Sequence, residues 1–167
     1  MKYLSGYPDA IVQQAKSLLD DNRVGEILLK KYPSAHPYRT DKALFSFCQQ
    51  MKNDYLRQSP PLVKVVYDDK LKIVQHALGV HASISRVQGG KLKNKKEIRI
   101  ASLFKTTPEP FLRMIVAHEL AHIRELDHNK AFYKLCVHIE PDYHQLEFDT
   151  RLYLLHLDRY GPLFDLN

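Results

Sequence analysis

Two histidines four positions apart, with a glutamate beside the first, constrain this chain more than any other stretch: His118-Glu119-Leu120-Ala121-His122. Residues four apart share one face of an α-helix, so both imidazoles can reach one ion at about 2.0 to 2.1 Å from each ligating nitrogen. The flanking sequence supports a helix. Phe111, Leu112, Ile115 and Val116 precede the motif, and the prolines at 108 and 110 fit only a first helical turn. Thr106 followed by Glu109 has the form of a capping box. The expected helix therefore runs from about Pro108 to Leu126 and is largely buried. Buried His and Glu are costly without partners, and a metal ion is the partner this spacing suits.

An ion that keeps one coordination position open for chemistry needs a third protein ligand. His128 lies six residues past His122, the spacing of the metzincin pattern H-E-x-x-H-x-x-G-x-x-H. Glu125 stands where that pattern has glycine, and Met1, Met51 and Met114 leave no methionine downstream for a Met-turn, so that family is excluded while His128 is retained as ligand. Asp127 and Asn129 are turn and cap formers that can bring the chain back over the first helix. Glu140 and Glu147, farther along, are the rival third ligands. Glu119 is the candidate general base, facing a metal-activated water. His138 and His144 are expected on helix surfaces, and Tyr133 and Tyr143 as core or rim aromatics.

Around the motif the chain divides by residue pattern. The part from 1 to 58 is expected to be helical: Pro8 opens a helix carrying Ile11, Val12, Ala15, Leu18 and Leu19, a short helix covers Gly25 to Tyr32, and Thr40 caps a third that buries Ala43, Leu44, Phe47 and Met51. Between 62 and 104, β-branched runs predict three or four strands, Leu62 to Tyr67, Leu71 to Val74, Val80 to Ser85 and Glu97 to Leu103. A polar loop from Gln88 to Lys96 is expected between two of them. From 106 to 160 come the motif helix, a helix around Phe132, Leu135, Cys136 and Ile139, and another between Asp142 and Gly161.

With 167 residues, 44% hydrophobic and 26% charged, the chain has the length and balance of one globular domain. No apolar run is long enough for a bilayer or a signal peptide, and the expected compartment is the cytoplasm. Cys48 and Cys136 sit in apolar helical patterns and are expected as reduced thiols. The net charge of +6 favours polyanionic partners without naming one; nucleic acid has no support beyond it. Lys91, Lys93, Lys95 and Lys96 cluster beside Gly89 and Gly90, with Arg86 nearby. Arg86, Gly89, Gly90, Lys91 and Lys93 are the candidate residues for binding an anionic substrate.

The sequence resembles the YgjP-like metallopeptidase family, related to the SprT and WLM domains. The resemblance is carried by Gly6-Tyr7-Pro8, Ser85 to Lys93, Pro108 to Val116, the H-E-x-x-H residues through His128-Asn129-Lys130-Ala131-Phe132, Glu140-Pro141, and His144 to Leu152. It implies one α+β, zincin-like unit over 1–167: N-terminal helices, a small three- to four-stranded sheet, the H-E-x-x-H helix and C-terminal helices. It also implies Zn²⁺ or another divalent transition metal on His118, His122 and His128, with Glu119 catalytic. Many family members carry Arg-Trp-Gly-Ser-Cys where this chain has Arg86-Val87-Gln88-Gly89-Gly90, a departure on the expected substrate side.

Three classes follow. The first is a zinc-dependent peptidase, in which a peptide lies along a sheet edge such as Glu97 to Leu103. The second is a nucleotide pyrophosphatase acting on UTP at the same site, as similar proteins are described. The third is a metal-stabilised nucleic-acid-binding module without turnover, against which Glu119 argues, because a purely structural site is closed by four ligands. Their partners are a peptide, a nucleotide or nucleic acid, and no membrane.

Overall fold

Three helices, a small sheet and three further helices follow one another in the computed structural model, which describes residues 1–71, 85–89 and 96–164. Helices α1 (Asp9–Asp20), α2 (Val24–Lys31) and α3 (Asp41–Tyr55) come first. Pro8 is the N-cap of α1, and Thr40 caps α3 by accepting the Ala43 N–H at 3.1 Å. These are the devices the sequence predicts. Gly25 lies where α2 meets the last helix; a Cβ there would stand 2.7 Å from His156 Cε1 and 3.0 Å from Leu163 Cδ1.

The sheet holds β1 (Leu62–Asp68), β2 (Ser85–Gly89) and β3 (Lys96–Ala101), in the order β1-β3-β2. β3 runs parallel to β1, with Val65 opposite Ile98, and antiparallel to β2, with Val87 opposite Ile98. The expected loop from Gln88 is corrected here. Gln88 pairs with Glu97 and Gly89 with Lys96, so both belong to β2. All but Leu71 of the expected strand at Leu71 to Val74, and all but Ser85 of the one at Val80 to Ser85, lie outside the described residues, as do Gly90, Lys91 and Lys93.

A 3-10 turn (Ser102–Thr106) leads into α4 (Glu109–His122). Pro108, not Thr106, is the N-cap, and no side chain caps the helix. The expected capping box is therefore absent: the turn takes in Thr106, whose hydroxyl donates to the Leu103 carbonyl. The helix also stops four residues short of Leu126. Ile123 and Arg124 close tight bonds back to Leu120 and Ala121, and the chain turns away. Ten of the fourteen residues of α4 are buried, including His118 and Glu119, so it is the central element on which the rest packs.

α5 (Lys130–Ile139) and α6 (Tyr143–Tyr160) complete the fold. Asp142 precedes α6 as expected but forms no side-chain cap, and Gln145 donates instead to Asp149 at 3.0 Å. Gly161 ends α6 at φ +90°, a conformation glycine tolerates. His36, buried between α2 and α3, accepts the Tyr38 N–H on Nδ1 at 2.9 Å and donates from Nε2 to the Phe104 carbonyl at 2.6 Å. That ties the N-terminal helices to the segment entering α4. Cys48 and Cys136 are buried free thiols. No helix among the described residues is long and apolar enough to cross a membrane.

Candidate metal centre

His118 and His122, one turn apart on α4, present their Nε2 atoms 3.1 Å from each other. The chain then reverses over Ile123 to Asn129 and returns His128, whose Nε2 lies 2.9 Å from that of His122. The return is set by the start of α5, where Asn129 is the N-cap and its side chain accepts the Phe132 N–H. The ring of Phe132 packs on all three imidazoles, with centroids at 4.9, 4.4 and 4.9 Å. An apolar, fully buried phenyl ring holds the imidazole rings in place and offers no competing donor.

The donor set suits a divalent transition ion. Two nitrogens about 2.05 Å from one tetrahedral ion stand about 3.3 Å apart, close to the separations here. The tautomer of His122 agrees. His122 Nδ1 is 3.0 Å from the Glu125 carbonyl oxygen, which can only accept, so the ring hydrogen is on Nδ1 and the lone pair is on Nε2, facing the cluster. With His118 and His128 in the same tautomer, three lone pairs would converge on one point, an arrangement that a cation between them stabilises. Among the described residues these three histidines are the group able to hold a metal, their ligating nitrogens all within 4.8 Å of one another.

Glu119 projects from the same turn, with Oε2 3.9 Å from His118 Nε2 and its side chain 1% exposed. It stands beside the cluster without belonging to it, the position a proton acceptor needs. Both buried thiols feel its charge; burial first, and then Glu119, pushes the Cys48 thiol up, and burial does most of the same to Cys136.

The rival ligands are elsewhere. Glu140 accepts from Arg113 Nε at 3.2 Å and from the Asp142 N–H, and Glu147 accepts from Arg151 at 3.2 Å. His138 packs against Tyr55 and His144 against Tyr133, apart from the three nitrogens. Of the expected anion-binding residues, Arg86 and Gly89 sit in β2 opposite Arg99 and Lys96. The expected peptide-binding edge is corrected: β3 is hydrogen-bonded on both sides and is no edge, whereas β1 and β2 are the outer strands among the described residues. A cleft of about 530 Å³ between α3 and α4, lined by Tyr38, Phe47, Asp54, Glu109 and Arg113, holds none of the three histidines.

One contact escaped the sequence reading. The Tyr143 hydroxyl lies 2.8 Å from His118 Nδ1, deep in the protein. Burial first, and then the charge of Glu147, drives the Tyr143 phenol well above its ordinary value, so it is a neutral hydroxyl. Nothing in the sequence marks it: Tyr143 opens α6, two helices beyond the one that carries His118.

The sequence model of a family described as YgjP-like, metallopeptidase domain, matches residues 21–150. A relative from Escherichia coli (strain K12), named UTP pyrophosphatase, is 57% identical over 157 residues, which is 94% of this chain and 94% of the relative. No solved structure matches.

Proposed function

Since the chain belongs to the YgjP-like metallopeptidase family and is a hydrolase, we propose that it hydrolyses the phosphoanhydride of UTP, giving UMP and pyrophosphate, at a divalent ion, zinc in our reading, held by His118, His122 and His128. The observation that carries this is the 57% identity, over nearly the full length of both chains, to a protein named UTP pyrophosphatase. When bound, the ion supplies Lewis-acid chemistry: it makes water more acidic and stabilises charge on oxygen. Glu119 takes the proton of the attacking water, its carboxylate fixed beside His118. Water attacks the α-phosphorus and the bond to the bridging oxygen breaks, so pyrophosphate leaves. Arg86, Lys91 and Lys93, with the backbone at Gly89 and Gly90, pair with the phosphate oxygens, in keeping with the net charge of +6.

Peptide hydrolysis is the second reading, favoured by the family's description and by the packing of the H-E-x-x-H helix against β2, an outer strand among the described residues. One experiment decides. The metal-replete protein is offered each nucleoside triphosphate and casein-derived peptides, with Glu119→Gln as control. We expect UMP and pyrophosphate in equal amounts from UTP, a loss of about 10²- to 10⁴-fold in turnover in the variant with its metal retained, and intact peptides. Glu119-dependent peptide cleavage without triphosphate turnover overturns the proposal in favour of the peptidase.

A further inference from the structure

We propose that Tyr133 and His144 form the surface on which the base of the nucleotide stacks, beside the three clustered histidines. The assignment rests on the reading of the substrate as a nucleoside triphosphate and names the side chains that hold its base.

The aromatic rings around the imidazoles differ in exposure. Phe132, against all three, and Tyr143, against His118, are fully buried. Tyr133, with its ring centroid 6.3 Å from that of His128, is partly exposed. Among the described residues, Tyr133 is therefore the tyrosine or phenylalanine that continues the surface from the cluster out to solvent. His144 extends it. That ring is exposed and lies 5.7 Å from the Tyr133 ring and 5.4 Å from the buried Tyr143 ring, edge to face with the latter at 81°.

An exposed side chain ordinarily gives up rotamer freedom when a ligand lands on it. His144 already rests on two rings, and Tyr133 is anchored among Phe132, Tyr143 and His128, so less ordering is left to be done on binding. A flat base gains from such a surface through its π face. The fold also gives the nucleotide a direction. β2 and β3 pack on α4, and α5 and α6 pack on α4 and on other helices rather than on the sheet. Arg86, the cation already assigned to phosphate, belongs to β2 and lies opposite Arg99 of β3. The pyrophosphate end thus belongs on the flank of α4 that carries the sheet, and the base on the flank that carries α5 and α6.

The probes are UMP, which has a base, and pyrophosphate, which has none, each titrated into the zinc-loaded protein. Proton NMR reads stacking directly, because aromatic ring currents move the uracil H5 and H6 resonances upfield and contacts with the Tyr133 ring give intermolecular NOEs. We expect both signals in the wild type. Tyr133→Ala should abolish the shift and weaken UMP binding about 5- to 150-fold, the range for loss of one base-stacking ring. Its affinity for pyrophosphate should be unchanged. Tyr133→Phe should keep the shift and the affinity, and His144→Ala should lose part of each. In UTP turnover, Tyr133→Ala should act on KM more than on kcat, as removal of a contact held throughout the reaction does.

Unshifted uracil resonances in a wild type that binds pyrophosphate would overturn the stacking surface and leave hydrolysis standing. Equal losses for UMP and pyrophosphate in Tyr133→Ala would overturn it too, as general damage to the site. Shifted UMP on a protein that leaves UTP intact would support the surface and sink the hydrolysis reading instead. Binding of neither probe would remove both. Should Tyr133→Ala fail to fold, the wild-type NOEs and His144→Ala, a change at an exposed position, still decide the matter.

Discussion

Asn129 and Phe132 are joined by a helix cap: the Asn129 side chain accepts the Phe132 N–H at 2.9 Å. One residue of that pair follows the third histidine and the other packs on all three. Asn129→Ala should cost about 1 kcal/mol of stability, the usual value of an N-cap. It should also weaken metal binding, because His128 loses the turn that returns it. Asn129→Asp should retain both. Denaturant midpoints with and without metal check the pair, and a stability loss with unchanged affinity would separate the cap from the site.

For the ligand set, His118→Ala or His122→Ala should remove the stoichiometric ion, since two remaining imidazoles hold it poorly. His128→Ala should lower affinity far more than Glu140→Ala, whose carboxylate is occupied by Arg113. Elemental analysis and chelator competition rank the four variants. Full metal content in both His118→Ala and His122→Ala would sink the site.

Gly25→Ala carries an informative sign. In an ordinary helix interior the change stabilises by about 1 kcal/mol. Here the new methyl would meet His156 Cε1 at 2.7 Å, so we expect a net loss of about 1 to 3 kcal/mol from overpacking. His156→Ala in the same background should recover part of it. Chemical unfolding of the three proteins supplies the comparison, and a more stable Gly25→Ala would contradict the packing.

Acid should destabilise the fold in part through His36. Burial lowers its proton affinity below the ordinary 6.5, against a smaller opposing effect of the Phe104 carbonyl. The unfolded chain then binds the proton more tightly, so this contribution is complete above about pH 6.5 and is lost as pH falls toward the folded-state value. His156, also lowered by burial, acts in the same direction. His36→Gln should flatten the slope of stability against pH below 6.5 by at most about 1.4 kcal/mol per unit, one proton's worth. An unchanged slope would remove His36 from the account.

What the sequence disclosed was mostly local. His118 and His122 are four apart and His128 six further on, so helical geometry and one turn bring them together without knowledge of distant packing. Thr40 and Asn129 likewise act within three residues of themselves. The rest required long-range information. Residue types reveal that Lys96–Ala101 is a strand, but its place between β1 and β2 depends on how the chain crosses from one to the other. Thr106 and Glu109 match a capping box, yet a preceding 3-10 turn uses Thr106 first. Tyr143 is twenty-five residues from His118, and a tyrosine in an apolar pattern reads as core until its hydroxyl partner is seen.

The three clustered imidazoles are separated by only four and six residues along the chain, whereas Arg151 reaches the Tyr3 carbonyl across 148. Closing so short a loop costs little conformational entropy. An unfolded or nascent chain therefore retains much of the means to grip an ion before its N-terminal segment has docked. Binding to the unfolded ensemble subtracts from the benefit conferred on the native one, so an ion bound at the proposed site would raise the melting temperature by less than its native-state affinity alone would give.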